Sequence, residues 1–96
     1  MHLPKDADLL KELTVSAVVE TLLDIGKPIY EIVLDKLKKE YNCYLDDCYW
    51  HPEYLNSILK EVFGNAHSVI VGEIRKRLEE LAYKEQTRIF IEVICQ

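Results

Sequence analysis

Two cysteines and a histidine near the middle of the chain are the residues best suited to chemistry. Cys43, Cys48 and His51 have the spacing C-x4-C-x2-H, which a loop could wrap around a zinc ion, with Asp47 or His67 as fourth ligand. Structural zinc sites more often contain C-x2-C pairs and a clear fourth ligand, and His51 already stands at the start of a predicted helix. We therefore predict no resident metal or cofactor, and Cys43, Cys48 and His51 remain the metal candidates.

The same two cysteines allow two further states. A disulfide between Cys43 and Cys48 would close a short loop, although a cytoplasmic chain normally keeps its thiols reduced. Otherwise both side chains pack as small apolar groups. Nucleophilic catalysis would need a thiolate, a base and an oxyanion donor, and Cys48 and His51 have no orienting group or glycine-rich segment beside them. The sequence therefore predicts a protein that is not an enzyme and has no catalytic residues.

A short basic run marks the second half of the chain. The candidates for contact with an anion or a nucleic acid are Arg75, Lys76, Arg77 and Arg88. Consecutive helical residues point about 100° apart, so the run does not form one patch, and salt bridges to nearby glutamates are the alternative. The chain has 12 basic and 17 acidic residues, a net charge of −5 that argues against nucleic acid. No phosphate loop or dinucleotide motif occurs, so no small-molecule substrate is indicated.

Apolar residues at three- and four-residue steps predict helices near residues 6–25, 28–41, 52–63 and 65–85. Gly26 and Asn42 are predicted to end the first two, and a close helix crossing would explain Gly72 inside the fourth. The predicted buried stripe of the first helix includes Leu9, Leu10, Leu13, Ala17, Val18, Leu22 and Ile25. Short connections favour antiparallel neighbours, so we expect an all-α, single antiparallel bundle of about four helices.

The last ten residues, 87–96, are rich in β-branched and aromatic side chains, a composition that favours a strand. A single strand on a helical bundle would lack a partner for its backbone groups. Two arrangements therefore stay open: helix four continues through the segment, or the segment pairs with its copy in a second chain. The interface residues expected in that dimer are Ile89, Phe90, Ile91, Val93 and Ile94.

Composition sets the class of the whole chain. The 96 residues suffice for one domain, 1–96, and 49% apolar with 30% charged residues are typical of a globular protein. No stretch approaches the roughly 20 apolar residues that span a bilayer, so we expect no membrane association. The first six residues contain no apolar signal region, which predicts a cytoplasmic protein.

Four sequence blocks in order resemble a known family. They are Lys38-Lys39-Glu40-Tyr41, Leu45-Asp46-Asp47, His51-Pro52-Glu53-Tyr54-Leu55 and Val62-Phe63-Gly64-Asn65-Ala66. Over about residues 14–82 this order resembles small archaeal helical domains of unknown function, related to the output domains of signalling proteins in ammonia-oxidising archaea. The resemblance implies an all-helical bundle and no catalytic residues. The cysteine-bearing loop and the last ten residues depart from the family pattern.

These observations favour a non-enzymatic protein-interaction or regulatory module that acts as a homodimer. The apolar C-terminal segment, which needs cover, is the main support for that expectation. The alternative is a nucleic-acid-binding or transcription-linked module that uses the basic part of helix four.

Overall fold

A computed structural model describes residues 6–96, with side chains from residue 8 onward. Within this range the chain forms five α-helices, three short 3-10 helices and no strand, so the all-helical prediction is confirmed. The α-helices are α1 (Asp6–Ile25), α2 (Lys27–Tyr41), α3 (Pro52–Phe63), α4 (His67–Arg77) and α5 (Glu85–Ile94). The 3-10 helices are Leu45–Tyr49, Gly64–Ala66 and Glu79–Leu81. The first five residues, on which the expectation of no signal region mainly depends, lie outside the described range.

The predicted helix ends at Gly26 and Asn42 are confirmed. Gly26 is the single residue between α1 and α2, and Pro28 lies in the first turn of α2, where its missing amide hydrogen costs nothing. Asn42 has φ 52°, and its amide donates back to carbonyls of the last turn of α2. Asparagine tolerates this left-handed conformation better than most residues, which explains the stop at that position.

The buried face of α1 differs from the predicted stripe. Its buried residues are Thr14, Ala17, Val18, Thr21 and Leu22. Leu9, Leu13 and Ile25, which were expected in the core, are 50%, 43% and 44% exposed. The prediction was wrong there because it followed apolar side chains alone, whereas two threonines complete the face that packs inward.

The fourth predicted helix is too long. α4 ends at Arg77, the 3-10 helix Glu79–Leu81 follows, and α5 starts only at Glu85. Residues 87–94 thus lie in a separate fifth helix, which differs from both arrangements left open by the sequence. The close crossing expected at Gly72 is also absent among the described residues, because no atom of another helix lies within 4 Å of a Cβ built there.

The core lies where α1 and α3 meet the other helices. α1 contacts α2, α4 and α5, and α3 contacts the same three helices. Both also contact the 3-10 helix Leu45–Tyr49, which inserts the fully buried Tyr49 ring beside Phe90 of α5. Other fully buried side chains are Leu22, Val33, Leu37, Leu55, Ile58, Leu59, Ile74 and Ile94.

No helix of the described chain is long and apolar enough to cross a lipid bilayer.

Candidate functional site

The cysteine-bearing segment places its two thiols inside the protein. Cys48 is 1% exposed and Cys43 is also buried, and both are free thiols in this structure. The Cys48 thiol donates to the carbonyl oxygen of Tyr44, with Sγ and O 3.9 Å apart. The disulfide between the two cysteines stays one of the two states that the sequence left open.

Burial controls the chemistry of these thiols. Removal from water disfavours the thiolate and raises the pKa of both Cys48 and Cys43, and the neighbouring Asp47 carboxylate acts in the same direction. A protonated thiol is a poor nucleophile and a poor metal ligand. The environment of this pair therefore favours packing over catalysis.

The third metal candidate, His51, lies on the surface. Its ring stacks on Tyr54, with centroids 4.9 Å apart, and Nδ1 lies 3.4 Å from Oε2 of Glu53. Tyr54 stacks in turn on Tyr41 at 4.4 Å, so His51 extends a column of aromatic rings. No group of three His, Cys, Asp or Glu side chains suited to a metal ion occurs in the part of the chain that the structure describes.

The structure separates the basic residues of α4 from one another. Arg77 binds two carboxylates of α1: its Nη1 lies 3.1 Å from Oε2 of Glu20, and its Nη2 bonds Asp24. The hydrogen bond that Arg77 donates to the Asp24 carboxylate raises the pKa of Arg77, which keeps the guanidinium charged. Nζ of Lys76 lies 3.9 Å from Oε1 of Glu73 on the same helix. Arg77 therefore links α4 to α1 and is already neutralised by acidic partners.

The other two basic candidates line one cleft. Arg75 of α4 and Arg88 of α5 border a cavity of about 300 Å³, together with Glu92 and Cys95. Arg88 forms an ion pair with Glu92, with Nη1 and Oε2 3.6 Å apart. We call this the α4–α5 cleft. The sequence could not show that Arg75 and Arg88 share a site, because the turn between α4 and α5 was not predicted.

The predicted interface residues lie mostly in the core of their own chain. Phe90 is 1% exposed, and Ile91 and Ile94 are also buried, while Ile89 and Val93 are half-buried. α5 covers these side chains by packing against α3 and α1. The apolar C-terminal segment is thus covered without a second chain.

An apolar surface that the sequence did not indicate lies between α1 and the segment that joins α4 to α5. Leu9 and Leu13 face Leu81 and Tyr83 across two adjoining depressions of about 240 and 290 Å³, which share Leu13 and Leu81. Tyr83 is 75% exposed. We call this surface the α1 groove. One sequence signal could have indicated this surface: Thr14 is buried on α1, and Leu9 and Leu13 lie on the neighbouring, exposed side of the helix.

In comparisons with protein-family models, curated proteins and solved structures, the chain matches none of them.

Proposed function

We propose that this protein is a cytoplasmic, non-enzymatic protein-interaction or regulatory module that acts as a homodimer through the α1 groove. The observation that carries the proposal is the exposure of Leu9, Leu13 and Tyr83 together on one surface. Isolated exposed apolar side chains are ordinary, but a contiguous group of them beside a depression is typical of an interaction site.

The shape of the groove favours a second copy as the occupant. Tyr83 is highly exposed and lines a depression together with Leu9, Leu10 and Leu13. A twofold symmetric dimer brings the same surface of each copy together, so each Tyr83 ring can enter the depression of the other chain. Tyrosine anchors of this kind carry much of the binding energy in interfaces.

Charge does not oppose this pairing locally. The charged residues that line the two depressions are Glu20, Arg77, Glu80 and Lys84, two of each sign. A second copy therefore meets a balanced surface, although the whole chain has a net charge of −5.

We also propose that α1 and α2 are antiparallel neighbours, because only Gly26 separates them.

Light scattering at several protein concentrations tests the proposal. We expect a mass of two chains for the wild type. Tyr83→Glu should raise the dimer dissociation constant about tenfold or more, since it places a charge at the centre of the contact. Leu13→Glu, on the facing helix, should act in the same direction.

The matched control is Val69→Glu. Val69 is a 64% exposed apolar residue of α4 that lines neither depression, and its replacement should leave the dimer intact. A wild type that stays monomeric at all concentrations would rule out the homodimer. A dimer that Val69→Glu weakens as much as Tyr83→Glu would move the interface away from the α1 groove.

A regulatory role would agree with the resemblance to archaeal signalling output domains, and that relation is part of the proposal. The alternative function, contact with nucleic acid, would use Arg75, Lys76 and Arg88, since Arg77 is held by two carboxylates of another helix, Glu20 and Asp24. Lys76 and Arg88 each pair with a single glutamate of their own helix. Binding of a short DNA or RNA duplex that falls steeply with salt would support the alternative. No binding at low salt would exclude it.

A further inference from the structure

The α4–α5 cleft has the size and lining of a site for a small organic molecule. Its volume of about 300 Å³ lies at the lower end of the range for ligand sites in proteins. Its lining combines the apolar side chains of Ala82 and Ile91 with the charged side chains of Arg75, Arg88 and Glu92. Ligand sites combine apolar contact with a few charged or polar groups that orient the ligand, and this cleft offers both kinds of side chain.

The charges in the cleft are not balanced. Arg88 is paired with Glu92, which leaves the positive charge of Arg75 without an ion-pair partner among the described residues. Arg75 also acts on the Cys95 thiol, where its charge partly offsets the rise in pKa that partial removal from water causes. The cleft is thus a local positive site in a chain with a net charge of −5.

We propose that the α4–α5 cleft binds a small organic monoanion, a carboxylate with a short apolar group, and that Arg75 is its principal anion-binding residue. The planar guanidinium presents two parallel N–H groups that match the two oxygens of a carboxylate. The apolar part of the ligand packs against Ala82 and Ile91. The proposal does not depend on the dimer, because the α1 groove has no lining residue in common with this cleft.

Two features select one negative charge rather than several. Glu92 also lines the cleft and repels a second anionic group on the ligand. The net negative charge of the whole chain repels long polyanions at a distance, which lowers their rate of association with the cleft. A single carboxylate gains the attraction of Arg75 with the least repulsion from Glu92.

Titration of the full chain with sodium benzoate, followed by amide NMR spectra, tests the site. We expect saturable shifts centred on residues 75, 82, 91 and 95, with a dissociation constant on the order of 1 mM. Benzamide, which has the same shape without the charge, should bind about tenfold more weakly or not at all. Inorganic phosphate should also bind more weakly, because it lacks the apolar group and carries more negative charge.

Variants on both sides of the cleft assign the role of Arg75. Arg75→Gln should weaken benzoate binding about tenfold or more, whereas Lys76→Gln, the same charge change one residue along α4, should change it less than roughly twofold. Glu92→Gln should tighten binding, because it removes a negative charge from the lining of the cleft and frees Arg88. Shifts that do not saturate, or equal losses in Arg75→Gln and Lys76→Gln, would overturn the proposal.

Discussion

At the scale of single residues, three hydroxyl groups meet in the core. The Thr87 oxygen of α5 lies 3.4 Å from the Thr14 oxygen of α1 and 3.4 Å from the Tyr49 oxygen of the 3-10 helix. All three residues are fully buried, and no buried side-chain polar atom of the described chain lacks a partner. Thr87 is therefore the common partner of two otherwise isolated hydroxyls.

Replacing the shared partner should destabilise the protein. Thr87→Val keeps the shape of the side chain but removes the oxygen that Thr14 and Tyr49 both contact. Leaving buried hydroxyls without a partner should lower the free energy of unfolding by about 1–3 kcal/mol, measured by urea denaturation.

Thr21→Val is the matched control for this replacement. Thr21 is also buried, but its hydroxyl donates to the Ala17 carbonyl oxygen of its own helix, with the two oxygens 2.8 Å apart. Its removal therefore leaves no other side-chain hydroxyl without a partner. We expect a change below about 1 kcal/mol. Equal effects of Thr87→Val and Thr21→Val would contradict a role for the three-hydroxyl cluster.

His67 gives the stability a pH dependence. Its Nε2 lies 2.9 Å from Oδ1 of Asn56, and burial, followed by the charge of Lys60, lowers its pKa below the ordinary 6.5. The carbonyl of Ile94 opposes this shift but does not reverse it. The folded protein therefore holds the neutral ring, and the unfolded chain takes up a proton first as the pH falls.

This contribution is fully present above pH 6.5 and is lost as the pH falls through 6.5 toward the lower folded value. Between pH 7.5 and 5.5 the free energy of unfolding should fall more steeply in the wild type than in His67→Gln. Lys60→Gln should reduce the steepness, because it removes one cause of the lowered pKa. Identical slopes in the wild type and His67→Gln would exclude this role.

At the scale of elements, two glycines should respond to alanine in opposite directions. Gly64, where α3 ends, has φ 54° and ψ −122°, a conformation that costs an L-residue about 1–2 kcal/mol. Gly72 has helical neighbours inside α4 and no atom within 4 Å of a built Cβ. Gly64→Ala should lower the midpoint of thermal unfolding, and Gly72→Ala should raise it by the propensity gain of about 1 kcal/mol. A loss of stability in Gly72→Ala would contradict the open space observed there.

The boundaries of α2 and α3 could be predicted because Gly26, Pro28, Asn42 and Pro52 act through local backbone geometry. α5 could not be predicted, since its β-branched composition favours a strand and its helix depends on burial against α3. The sequence identified the cysteine-bearing segment, but it did not identify the α1 groove or the α4–α5 cleft. Both surfaces depend on the turn at residues 78–84. The sequence of this turn still has the spacing of a helix, although the backbone no longer follows one.

At the scale of the whole molecule, we expect α5 to be required for folding. Phe90, Ile91 and Ile94 are buried, and burial of each large apolar side chain contributes about 1.5–3 kcal/mol. Three such contributions, roughly 5–9 kcal/mol, are comparable with the total stability of a small domain. The segment that the sequence assigned to an interface thus stabilises the monomer.

Deletion of residues 89–96 should consequently unfold the chain instead of converting a folded dimer into a folded monomer. Circular dichroism should show loss of helix and no cooperative thermal transition. Deletion of residues 95–96 alone is the control, because Cys95 and Gln96 are exposed and follow the last residue of α5; it should preserve the transition. A folded, monomeric 1–88 fragment from a dimeric wild type would restore the interface assignment. A folded 1–88 fragment would also show that α1 to α4 form a stable core without Phe90. Such a fragment can unfold cooperatively only if the remaining helices bury enough apolar surface by themselves.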